Sequence, residues 1–375
     1  MDLGKIRDEV DKIDQNIAHL FEQRMKLCQD AAECKIETGT AVFDPERERQ
    51  KLEQMEKLFA SDLDRREMKE ILSHMMAVSR KRQYQLLTEQ GLEELVGFRM
   101  VKELPVEGKR VAYAGVEGAY GYEATMRFFG SQAEKFSVPN HGLVMKAVAE
   151  GDADYGVLPI ENSSAGAVTD VYDLLMNYDI CVVAEMGIPI SHCLLGLPEA
   201  ELSDIRRVHS HPQALQQCGE YLGAHPEWQQ VPESNTAASA KMVAALGDRA
   251  AAAVASRTAG ELYGLKVLAS SINHNKSNMT RFVIVTKQKI YLETAKKLCL
   301  CLECRHETGA LYHLLSHFSY NELNMTQIES RPIPGRRWEY RFFVDVEGNL
   351  KDSGVQNAIK GLKEETVLCR ILGNC

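Results

Sequence analysis

Residues 3–34, LGKIRDEVDKIDQNIAHLFEQRMKLCQDAAEC, place Leu3, Ile6, Val10, Ile13, Ile17, Leu20, Arg24, Leu27, Ala31 and Cys34 at alternating steps of three and four. That spacing predicts one long helix with an apolar seam that packs on other helices. Arg24 interrupts the seam. A guanidinium there is costly unless an acidic side chain or a bound anion meets it. The space between packed helices is also where a bundle builds a ligand site. Gly39 ends the helix. Asp44 and Pro45 read as the N-cap and first residue of a second helix, to about residue 59, and a third is expected over roughly 63–87. Met68, Ile71, Leu72, Met75 and Val78 form its expected inner side. Residues 1–90 thus read as an all-α, three-helix domain.

Two further blocks follow. Residues 109–287 alternate strand and helix, with strands expected at 110–114, 155–160, 180–184, 251–255 and 281–286, which points to α/β layering. Residues 295–375 run strand, helix, two extended segments, helix and a short strand, a βαββαβ order. The linkers at 91–108 and 288–296 are charged. Cys299, Cys301, Cys304 and His306 have no metal-ligand spacing. Leu298, Leu300 and Leu302 alternate with the cysteines, so the stretch reads as a buried strand and no metal is expected.

The formal net charge of −9 argues against a general nucleic-acid binder. It also requires any anionic ligand to be held by a local cationic pocket. No run approaches the ~18 apolar residues of a membrane helix. The first residues lack an apolar signal core, and ten cysteines without a framework pattern suit a reducing cytoplasm.

In the helical block, Arg24 and Lys35 lie eleven residues apart, on nearly the same face and about 16 Å apart along the axis. Two long side chains at that spacing can pinch a small dianion. Arg7 lies about 42 Å from Lys35 on the same helix. It can reach such a ligand only from a second copy, so the geometry predicts an interlocked helical homodimer. Asp44, Arg47 and Glu48 occupy the first turn of the second helix, and Ser79 and Gln83 share a face of the third. Cations, acceptors and an amide donor without a nucleophile suit a reaction driven by positioning and charge stabilisation.

Arg7, Arg24, Lys35, Asp44, Arg47, Glu48, Ser79 and Gln83, in this order and spacing, resemble the all-helical chorismate mutase domain, an intertwined dimer. The resemblance implies rearrangement of chorismate to prephenate. Arg24 and the second copy's Arg7 would bind the two carboxylates, and Lys35 and Gln83 the ether oxygen. Glu48 and the Asp44 region would hold the ring hydroxyl, with Arg47 and Ser79 in support.

Three strings mark the second block: Pro159–Gly166 (PIENSSAG), Ser210–Gln213 (SHPQ) followed by Gln217, and Asn278–Phe282 (NMTRF). Polar side chains at the carboxyl ends of strands, facing helix N-termini, are where α/β proteins bind anions. Together the strings resemble prephenate dehydratase, a two-lobed, periplasmic-binding-protein-like α/β fold with its site in the cleft. The resemblance implies loss of water and carbon dioxide from prephenate to give phenylpyruvate. Thr280 would be the donor to the departing hydroxyl. Asn162, Ser163, Ser210 and Gln217 would orient the substrate, with Glu161 and Arg281 nearby. The family often carries serine where this chain has Gly121. His211, beside a proline turn, reads as structural.

In the third block, Gly309, Ala310 and Leu311 open a helix, and Asn324, Glu329 and Ser330 lie on the following extended segment. The pair resembles the ferredoxin-like ACT regulatory domain, which implies an allosteric phenylalanine site at a dimer interface. The whole chain resembles the bifunctional chorismate mutase/prephenate dehydratase family, with no cofactor. The alternative is a ligand-sensing regulator built from a dimerising helical domain, an effector domain and an ACT domain. That would need a basic DNA-contacting element, and none is visible. A fused dehydrogenase would need a G-x-G-x-x-G turn after the first strand, which is also missing.

Overall fold

A computed structural model describes residues 2–89 and 97–375. The start of the linker expected at 91–108 lies outside the described residues. The chain forms two compact units. One combines the residues up to Gly97 with Lys296–Ile371, and the other holds Phe98–Ala295 and the last four residues.

In the first unit, α1 (Leu3–Thr38) is capped by the Asp2 carboxylate at Gly4 N and closed by Gly39 at φ 66°. In α2 (Pro45–Glu56) Asp44 accepts from Arg47 N, and α3 runs Asp62–Glu89. Within this one chain the seam is left uncovered. Leu3, Ile6, Val10, Ile13, Ile17, Leu20 and Leu27 are all exposed, whereas Met25 and Ala32 are buried. The stripe of α1 that α3 covers is offset from the heptad seam, so the seam's apolar ridge stays open along most of the helix. A correction concerns α3. Ile71 is exposed, and the buried face is Met76, Ala77, Ser79, Arg80, Lys81, Gln83 and Tyr84. This face is largely polar because α3 packs on α1, on α2 and on two helices of the C-terminal segment.

That segment runs strand Lys297–Glu303, helix Ala310–Tyr320, strands Met325–Pro332 and Tyr340–Glu347, helix Ser353–Glu365 and strand Leu368–Asn374. In the sheet the second and third strands pair antiparallel, the third pairs antiparallel with the first, and the fourth lies beyond the first. Leu298 to Glu303 are all buried, so this strand is covered on both faces. Gly361, on the helix against α3, permits the close approach. A Cβ there would collide with the His317 ring and sit 3.1 Å from Tyr84 Cδ2.

The second unit has two large sheets and a two-stranded ribbon that pairs Arg99–Val101 with Ile290–Leu292. The first runs Cys181–Pro189, Met279–Thr286, Tyr155–Asn162, Arg110–Ala114, Glu134–Val138, and the second Lys266–Ala269, His192–Gly196, Ala251–Ser256, Arg207–Ser210, Gln229–Pro232. The chain leaves the first lobe after Pro189, builds the second, and returns at Met279. The returning strand pairs antiparallel with Tyr155–Asn162, setting Thr280 opposite Asn162 and Arg281 opposite Glu161.

Candidate active sites

In the helical unit, Arg24 Nη1 donates to Met75 O at 3.0 Å and to Ser79 Oγ, while Ser79 Oγ donates to Met75 O at 2.7 Å. Among the described residues no carboxylate pairs with Arg24. Its charge is hydrogen-bonded but not neutralised, which leaves it available to an anion. Gln83, one turn on from Ser79, is buried and its Oε1 has no partner among the described residues. Lys35 Nζ donates to Val42 O at 2.7 Å, in the loop between α1 and α2. Asp44 caps α2, Arg47 is exposed on its first turn, and Arg7 is exposed far along α1. Arg24, Ser79 and Gln83 therefore come together on facing helices, Lys35 lies three turns along α1, and Arg7 is remote.

Glu48 has a partner that the sequence pattern does not suggest. Arg80 Nη1 lies 2.5 and 2.7 Å from its two oxygens. The same guanidinium donates from Nε and Nη2 to both oxygens of Glu365, at 2.8 and 3.0 Å, on the last helix of the unit. His317 Nε2 stands 3.3 Å from Glu365. Burial pushes the Glu365 carboxyl up, but His317 and Arg80 outweigh it and hold the group at about 2. Arg80 lies in the run Ser79-Arg80-Lys81-Arg82, which reads as a solvated basic face.

In the α/β unit, Asn162 is held by its backbone surroundings. Its Oδ1 accepts from Ser164 N and Ala165 N at 3.0 and 2.9 Å. Its Nδ2 therefore donates, to Thr280 Oγ1 and to Asn278 Oδ1, both at 2.9 Å. Thr280 and Asn278 are buried. Ser163 Oγ accepts from Met279 N at 2.9 Å. Asn278 Nδ2 lies 3.4 Å from Gln217 Oε1, which His192 Nε2 also approaches to 3.1 Å. Glu161 and Glu185 flank Arg281, each at 3.1 Å, leaving it little free charge. Ser210 is fully buried and donates to Val254 O at 2.6 Å. His211 caps the helix Pro212–Gln217, accepting from Gln213 N. Asn162, Ser163, Gln217 and Thr280 thus form one cluster, while Ser210 and Arg281 face local partners. Asn278 completes the cluster from the third string. Tyr120 and His192 lie just behind it, and nothing in the sequence singles them out.

In the C-terminal segment, Gly309 caps its helix at φ 80°. Asn324 leads into the edge strand that carries Glu329 and Ser330. That strand is separated by one other from the strand leading into the Gly309 helix.

Residues 111–290 match the prephenate dehydratase family, and residues 6–84 the type II chorismate mutase family. A bifunctional chorismate mutase/prephenate dehydratase of Enterobacter agglomerans is 33% identical, over 98% of this chain and 94% of that protein. The chain belongs to the bifunctional chorismate mutase/prephenate dehydratase family. It is accordingly a two-activity enzyme, a mutase at its amino-terminal end and a dehydratase after it. Among solved structures, a prephenate dehydratase from Arthrobacter aurescens in complex with L-Phe has a TM-score of 0.66 at 32% identity. The match covers 71% of this chain and 89% of that one. A protein described as GqqA, a novel type of quorum-quenching acylase, has a TM-score of 0.65 at 31% identity, over 71% of this chain and 97% of that one.

Proposed function

We propose that this family member rearranges chorismate in a pocket between α1, α2 and α3, and dehydrates the resulting prephenate at the Asn162–Thr280 cluster. It would do so as a cytoplasmic homodimer under phenylalanine control, with mutase, dehydratase and ACT domains at 1–90, 109–287 and 295–375. In the mutase, Arg24 and Arg7 of a second copy bind the two carboxylates. Lys35 and Gln83 donate to the ether oxygen as the C–O bond breaks and negative charge grows there. Glu48 and the Asp44 region hold the ring hydroxyl, with Arg47 and Ser79 in support. The open ridge of α1 supports the second copy, since one chain leaves seven large apolar side chains in water.

In the dehydratase, the C–O bond to the ring hydroxyl breaks while the ring carboxylate leaves as carbon dioxide. The electrons of that C–C bond aromatise the ring, and hydroxide takes a proton to become water. Thr280 donates to the departing oxygen. Its hydroxyl is a poor acid, and Asn162 improves it. The amide N–H occupies an oxygen lone pair, polarises the O–H bond and leaves the hydrogen to point elsewhere. Ser163 and Gln217 orient the substrate, with Glu161 and Arg281 flanking, while Ser210, buried and bonded to Val254 O, holds its own strand instead of the substrate. The cross-strand bond from Asn162 to Thr280 carries this reading. The βαββαβ order and strand arrangement support an ACT domain, whose phenylalanine site would use Gly309, Ala310 and Leu311 with Asn324, Glu329 and Ser330. The test is incubation with chorismate without added NAD. Phenylpyruvate should appear after prephenate, and accumulation of prephenate alone would refute the dehydratase assignment.

A further inference from the structure

His192 opens the first strand of the second lobe and is 3% exposed. Its backbone is fixed on both sides. His192 N donates to Asn273 Oδ1 at 3.1 Å, and its carbonyl accepts from Ile272 N at 2.9 Å. The ring lies between Tyr120 of the first lobe, with Nδ1 3.2 Å from the phenol oxygen, and Gln217 of the second.

The direction of every hydrogen bond through this region follows from two backbone N–H groups. Ser164 N and Ala165 N can only donate, so Asn162 presents its oxygen to them and its nitrogen to Asn278. Asn278 must then accept with Oδ1 and donate with Nδ2, so Gln217 receives that donor with Oε1. Because Oε1 only accepts, His192 Nε2 carries the hydrogen. In the neutral ring Nδ1 then accepts from Tyr120. Burial lowers the affinity of His192 for a second proton and keeps the Tyr120 phenol protonated, both in line with that tautomer. Gln217 Oε1 thus takes two donors, and its Nε2 has no partner among the described residues. The amide cannot turn over without setting donors against donors.

We propose that His192 is a positioning residue for the dehydratase. Backed by Tyr120, it locks the Gln217 side chain so that both amide hydrogens face the substrate anion. This rests on the placement of Gln217 at the prephenate site.

The experiment compares dehydratase kcat and KM in H192L, H192Q, H192N, Q217L and H192L/Q217L. Mutase activity of the same chain serves as the folding control. H192L should lower kcat/KM roughly ten- to hundredfold, the scale of a misplaced substrate-orienting group. H192Q puts an amide donor where Nε2 stood and should recover most of that loss. H192N ends near the Nδ1 position and should not. Because His192 acts through Gln217, the double variant should be no worse than Q217L. Equal activity of H192Q and H192N, or multiplicative losses in the double variant, would overturn the proposal even if H192L fails to fold. If Q217L alone is fully active, the site assignment falls. If Q217L is impaired while H192L is not, only the role of His192 falls.

Discussion

Glu365→Gln removes one charge from an ion pair that is nearly dry on both sides. The Arg80 and Glu365 side chains are 9% and 11% exposed and meet through two parallel hydrogen bonds. Breaking a buried pair from one side costs about 3–5 kcal/mol, mostly because the surviving charge stays buried. Glu48 still faces Arg80 in the variant, which favours the lower end, about 3 kcal/mol. For a unit of this size each kcal/mol moves the transition by about 2–4 °C, so the melting of the first unit should fall by roughly 6–12 °C. Scanning calorimetry, with loss of mutase activity on heating as a second probe, reads this shift. The pH dependence has a definite sign. The folded-state pKa of Glu365 is depressed from 4.5 to about 2. Its contribution is therefore complete above about 4.5 and disappears as the pH falls towards 2. The gap between parent and variant should close over that interval. R80M/E365M, which removes both charges, should regain much of the loss. A variant melting within a degree of the parent at neutral pH would refute the reasoning.

Lys35→Ala should lower mutase turnover at least about a hundredfold, the usual loss for a donor at developing charge, and leave the dehydratase rate alone. Paired assays of the two reactions check this. Asn162→Asp replaces the donor to Thr280 with a carboxylate that can only accept, so phenylpyruvate formation should drop about a hundredfold with little change in mutase rate. Gly309→Val, at a left-handed cap, and Ser330→Ala should each weaken phenylalanine inhibition of the dehydratase in an inhibitor titration. Unchanged inhibition in both would count against the pocket.

The long first helix, its Gly39 stop and the Asp44 cap of α2 were legible because they depend on local spacing: each acts on neighbours within a few residues. The inner face of α3 was not. Apolar periodicity picks Met68 and Ile71, but the partners of Arg80 and Lys81 are Glu365 and Ser316, far along the chain, and no local pattern announces them. In the α/β unit five strands were visible, but the short strands His192–Gly196, Arg207–Ser210 and Lys266–Ala269 were not. Glu134–Val138 and Gln229–Pro232 were also missed, because they are short, polar and partly exposed edges. The Asn162–Thr280 cluster was readable as three strings because strand ends bring their polar residues together. His192 was lost among the buried residues Cys193, Leu194 and Leu195, where an imidazole looks like core.

On the proposed dimer, the bare ridge of α1 makes protein concentration matter for one activity and not for the other. Asn162, Gln217, Asn278 and Thr280 meet within one chain, whereas Arg7 and Lys35 ride about 42 Å apart on one stiff rod that cannot fold back on itself. Serial dilution should therefore uncouple the two reactions, with prephenate consumption holding steady per molecule as its formation falls away.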